Sequence, residues 1–114
     1  MGKSGTDHLQ GTLEMLILQA LTPGAQHGYG VARWIESRTD DALRIEEGSL
    51  YPALHRMERR GWIESTWGTS DNNRRAKFYR LTSKGHRRLR TAADEWRQVV
   101  DCVALVMRPV EGTA

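Results

Sequence analysis

Residues 46–61 read EEGSLYPALHRMERRG and lead directly into WIESTW at 62–67, a segment rich in strand formers. At about 100° per residue, Leu50, Ala53, Leu54 and Met57 share one helix face. Pro52, His55 and Arg59 lie opposite, flanked by Tyr51 on one side and by Ser49 and Arg56 on the other. The first face is suited to packing, and the second is left free to meet something else. Serine is a favoured N-cap, so Ser49 is expected to open this helix and to place Pro52 in the first turn, where a missing N–H costs little. A start near Glu47 with a slight kink is the alternative. Gly61 supplies a left-handed stop.

Downstream, Trp62–Trp67 and Lys77–Thr82 alternate as strands, with the turn-forming GTSDNNRRA between them. The spacing predicts a hairpin with a long tip that carries Arg74 and Arg75. A helix with a basic outer face, followed at once by such a hairpin, is how a winged helix meets duplex DNA. Charge is concentrated in the same place. From Arg56 to Arg90 there are eleven basic residues against three acidic ones, a net of +8, whereas the remaining six basic and eleven acidic residues leave the rest of the chain at −5 and the whole at +3. Arginines at a hairpin tip can merely keep an exposed edge soluble. Beside a basic helix they point to phosphate or the minor groove.

Upstream, Leu9, Leu13, Leu16, Ile17, Ala20 and Leu21 recur at helical spacing until Pro23-Gly24, which predicts a helix from Leu9 to Leu21. A second helix fits Gly28–Arg38, with Val31, Ala32 and Ile35 inward, Arg33, Glu36 and Arg38 outward, and Trp34 bridging core and surface. The HGYG segment before it reads as a flexible entry. Past the hairpin, Thr82 or Ser83 caps a long helix from Lys84 to about Met107. Along it Leu89, Ala92, Trp96, Val99, Val103 and Val106 are spaced 3, 4, 3, 4, 3, a coiled-coil-like seam that Ala93, Val100 and Met107 widen. The elements before it are too small to cover this seam, which implies a second copy related by a twofold axis.

The expected fold class is therefore α+β, mainly α: a winged helix-turn-helix with a long C-terminal dimerisation helix. Residues 1–8 form a flexible N-terminus, 9–82 the winged domain, 83–108 the dimerisation helix and 109–114 a tail. At 114 residues the chain holds one domain. No stretch approaches a membrane span and MGKSGTDHLQ lacks the apolar core of a signal peptide, so a cytoplasmic protein is expected. Cys102 is the only cysteine, which excludes an intrachain disulfide and favours a buried, inert thiol. His8, His27, His55 and His86 form no ligand pair at i, i+4, and neither a GxSxG elbow nor a phosphate loop is present. No cofactor, metal or enzymatic activity is implied.

The pieces LQGTLEMLILQAL (9–21), HGYGVARWIE (27–36), EEGSLYPALHRMERRGWIES (46–65) and RRAKFYRLTSKGHRRL (74–89) resemble the PadR family of bacterial transcriptional regulators, in its compact branch with a single long C-terminal helix. The resemblance implies a repressor, dimeric through the last helix with help from the first, that releases DNA when a small molecule or stress signal arrives. It places the recognition helix on Gly48–Arg60, with Ser49, Tyr51, Pro52, His55, Arg56 and Arg59 near double-stranded DNA, and the wing, with Arg74, Arg75 and Lys77, on Trp67–Tyr79. Family wings often carry Gly or Pro before the basic residues. Here the tip is SDNNRRA, a departure that bears on the wing's conformation rather than its charge. Trp96, midway along the seam with small Ala92 and Ala93 beside it, either fills the core of its own domain or faces its twin across the axis to sandwich a planar aromatic effector. A winged-helix module that binds proteins or sequesters ligands, without an operator, is the alternative function.

Overall fold

The computed structural model describes the backbone of residues 2–112 and the side chains of residues 11–112; His8 and Leu9 as side chains, and Met1, Thr113 and Ala114, lie outside the described residues. The order of elements is α1 (Gly2–Ala20), β1 (Gln26–His27), α2 (Gly28–Arg38), α3 (Glu47–Arg59), β2 (Ile63–Thr69), β3 (Arg75–Leu81) and α4 (Ser83–Val106). Three antiparallel strands form one sheet in the order β1-β3-β2.

The core lies where the end of α1 meets α2, α3 and the base of the hairpin. Ile17, Leu18 and Leu21 pack there with Val31 and Ile35, the whole apolar face of α3 (Leu50, Ala53, Leu54, Met57), Ile63 and Tyr79. The face inferred for α3 from periodicity is the buried one. Its stop is also the inferred one: Gly61 takes φ +78°, and the N–H groups of Gly61 and Trp62 donate to the carbonyls of Glu58 and Met57.

Several local expectations are corrected. Helix α1 begins at Gly2 rather than Leu9, so residues 2–8 are helical although no apolar spacing marks them. Ser49 does not cap α3; Glu46 does, in extended conformation and without a side-chain bond, so the alternative start at Glu47 is the observed one. Pro52 therefore stands inside the helix rather than in its first turn. The hairpin strands run further toward the tip than alternation suggested, because Gly68 pairs with Ala76 and Thr69 with Arg75. Strand β1 went unread, since two residues carry no period. Glu36, expected outward, is buried: its Oε2 accepts from the Ile45 N–H at 2.9 Å, and Arg33 and Arg44 stand at 3.7 and 3.9 Å. A buried carboxylate persists when it is paired and hydrogen-bonded in this way. Here it fastens the link between α2 and α3. Cys102, expected buried, is exposed because the outer half of α4 leaves the body of the domain.

Helix α4 is fastened at its root. Thr82 caps it by accepting from the Gly85 N–H at 3.0 Å while its hydroxyl donates to the Gly61 carbonyl at 2.6 Å. Gly85 lies so close to the Trp62 carbonyl that a Cβ there would meet the oxygen at 2.0 Å. The Trp62 ring has the Arg60 and Arg88 guanidinium groups at 5.2 Å each. The base of α4 is thereby joined to the end of α3, and beyond Ala93 every residue of the helix is exposed.

Candidate nucleic-acid interface

Turning its apolar face to the core leaves α3 with Ser49, Tyr51, Pro52, His55 and Arg59 exposed. Across from it stands the hairpin, whose tip is a tight three-residue loop. The Asn73 N–H donates to the Ser70 carbonyl, the Ser70 N–H donates to that of Arg74, and Asn73 takes φ +62°. This is a type I turn closed by a left-handed residue, and asparagine tolerates that conformation better than most residues other than glycine. The unusual tip sequence thus builds an ordinary hairpin end without glycine or proline.

Between α3, the inner face of the hairpin and the start of α2 lies an open cleft of about 880 Å³. Its lining includes Tyr51, His55, Arg74, Arg75 and Lys77 from the inferred site, together with Tyr29, Arg33 and Trp67, which sequence reasoning left out. Arg75 stacks on the Trp67 ring at 4.4 Å, which holds a flexible cation in one place without neutralising it. The pairing register carries the signal that was missed: Trp67 faces Lys77, one diagonal step from Arg75 on the same face. At the cleft's other wall, the start of α2 is close-packed rather than flexible. The His27 Nδ1 accepts from the Gly30 N–H at 3.0 Å, and a Cβ on Gly28 would meet the Tyr51 ring at 2.8 Å.

The basic residues divide into two groups. Arg56 turns away from the cleft: its Nε donates to the Glu14 Oε2 at 3.1 Å, with Arg60 at 3.6 Å on the other oxygen, so this pair serves to bury Glu14 of α1. Lys77 stands 3.8 Å from Glu58, and Arg80 is paired with Glu64. Among the described residues, Arg59, Arg74, Arg75, Lys84, Arg87 and Arg90 form no ion pair. The free positive charge is smaller than the sequence count suggests, and at the cleft it is focused on the wing tip.

Tyr79, at the back of the cleft, has its hydroxyl pKa raised above the usual 10, by burial first and then by the Glu58 carboxylate and Tyr51. It therefore stays a neutral phenol over the physiological range. No group of histidine, cysteine and carboxylate side chains suited to a metal ion occurs among the described residues, and no helix there is long and apolar enough to cross a membrane.

Residues 17–91 match the model of the transcriptional regulator PadR-like family. A transcriptional regulator from Clostridium thermocellum is similar in structure, with a TM-score of 0.80 at 28% identity over 90% of this chain and 99% of that one. A PadR family transcriptional regulator from Eggerthella lenta gives 0.73 at 31% identity, over 95% and 93%. A protein from Lysinibacillus sphaericus, called uncharacterized protein X, is 30% identical over 93% of this chain and 97% of its own.

Proposed function

Since the chain belongs to the PadR-like family of transcriptional regulators, we propose that it acts as a homodimeric, ligand-responsive repressor that binds a pseudo-palindromic operator. The observation that carries DNA binding is the pairing of an exposed α3 face with unpaired arginines on a tight wing tip across one open cleft. Helix α3 enters the major groove, with Ser49, Tyr51, Pro52, His55 and Arg59 toward the bases, while Arg74 and Arg75 meet backbone phosphates. Two such units related by a twofold axis read half-sites about one helical turn, roughly 34 Å, apart. Selection from a random duplex library on the purified protein is expected to return an inverted repeat of that spacing. Recovery of no preferred duplex would refute operator binding.

The dimer runs through the outer half of α4. Leu89 and Ala92 are half-buried against their own domain, but Trp96, Val99, Val103 and Val106 are 47, 51, 51 and 79% exposed along one stripe. An apolar stripe of that length on one helix calls for a covering partner, and a second copy offers the matching stripe. Half-exposed Leu13 and Leu16 of α1 can add to the same interface.

Trp96 does not fill the core of its own domain, which favours the effector reading. Two indoles facing each other near the axis present flat apolar surfaces to a planar aromatic compound. A planar dye such as Hoechst 33342 is expected to quench tryptophan emission and to weaken operator binding together, because a ligand that prefers one dimer arrangement draws the population from the other. The Trp96→Ala variant is expected to lose both effects although Trp34, Trp62 and Trp67 still emit. Quenching that persists in that variant would place the site elsewhere.

A further inference from the structure

The hairpin is tied to α3 by one residue, Glu58. Its carboxylate takes a 2.6 Å hydrogen bond from the Ser65 hydroxyl on β2 and stands 3.8 Å from the Lys77 ammonium on β3. One carboxylate thus spans both wing strands from the last turn of α3. Ser65 pairs with Tyr79 and Trp67 with Lys77, so these four residues lie on the hairpin face that turns toward α3. Among the described residues, no hydrogen bond or ion pair joins α3 to the hairpin beyond Lys77. Everything from Trp67 to the tip extends freely past this point.

We propose that Glu58 is a positioning residue whose contacts with Ser65 and Lys77 set the opening between α3 and the wing, and that Lys77 serves this clamp rather than a DNA phosphate. The proposal rests on the operator-binding reading for its consequence, although the clamp itself can be measured without DNA. The lever is long enough to matter. Four or five residues of strand beyond the clamp span roughly 15 Å, so a tilt of about 10° carries the tip about 3 Å, the difference between a bonded and a lost phosphate. The raised pKa of Tyr79 is consistent with a charged Glu58 held against the inner face.

Simple electrostatics and the clamp predict opposite signs. Removing a negative charge beside a DNA interface should tighten binding if charge alone counts. If Glu58 holds the wing, Glu58→Ala should instead weaken binding to the selected duplex by about tenfold. Hydroxyl-radical protection should then vanish at the wing nucleotides and persist where α3 lies. Exchanging the partners, Glu58→Lys with Lys77→Glu, should restore affinity to within about threefold, since a serine hydroxyl can accept from an ammonium as well as donate to a carboxylate. Ser65→Ala leaves the helix untouched and should weaken binding in the same direction.

The second readout uses no DNA. Nitroxide labels at positions 47 and 72, on Cys102→Ser protein diluted with unlabelled chains, should give one narrow distance distribution that Glu58→Ala broadens. Binding by Glu58→Ala as tight as native or tighter, or an unchanged distribution, overturns the clamp. If the native protein selects no duplex, the operator reading falls, and the label distances alone decide the clamp.

Discussion

Val99→Glu combined with Val103→Glu is expected to convert the protein to a folded monomer. Both valines are 51% exposed on the single chain and lie on the outer half of α4, which touches nothing of its own domain. Substituting them therefore leaves the core of Ile17, Leu50, Leu54, Met57 and Ile63 intact. In a twofold dimer the change inserts four carboxyl groups into one apolar seam, and each costs at least about 2 kcal/mol whether it stays charged or takes up a proton. Even with partial relief at the rim, the dissociation constant should rise by more than about 10³. Sedimentation equilibrium at micromolar protein would show the monomer mass, with a circular dichroism spectrum like the native one. A native protein that sediments as a monomer at the same concentration would refute the dimer, and a double variant that remains dimeric would move the interface off α4. Operator affinity should fall with the dimer, because each half-site contact then loses the gain of being tethered to the other.

Arg74→Ala with Arg75→Ala is expected to weaken operator binding by about 10², roughly tenfold for each lost phosphate contact. Neither arginine has a carboxylate partner, so no internal pair is broken and the loss reports on DNA alone. Each substitution should lower the slope of log affinity against log salt by about 0.9, and the loss should be similar on specific and random duplexes, since phosphates carry no sequence. Arg75 has the further support of the Trp67 ring at 4.4 Å. Trp67→Ala should therefore weaken binding as well, through the freedom it returns to Arg75. Changes at Ser49, Tyr51 or His55 should instead alter which duplex is preferred. Wing variants with native affinity and slope over a salt series would remove the hairpin tip from the interface.

Both expectations depend on how local pattern and long-range contact shared the work of shaping this molecule. The amphipathic period of α3, the Gly61 stop, the span of α2, the hairpin and the long helix capped by Thr82 were all legible in the sequence. Each arises from interactions within a few residues or from a repeating division between apolar and polar positions. The family resemblance was legible for the same reason, as a run of such local units in a set order. What the sequence could not disclose were contacts between residues far apart. Nothing near Arg56 announces that it will turn to Glu14, 42 positions away, or near Glu36 that it will be buried against the Ile45 N–H. A count of basic residues sees charge, whereas packing decides which charges are already answered by a carboxylate. The start of α3 belongs with these, because burial of Leu50 and the link held by Glu36 outweigh the modest preference of Ser49 for a cap. So does the hold of Glu58 on both wing strands, which exists only once β2 and β3 have paired and laid Ser65 and Lys77 on the face that meets α3.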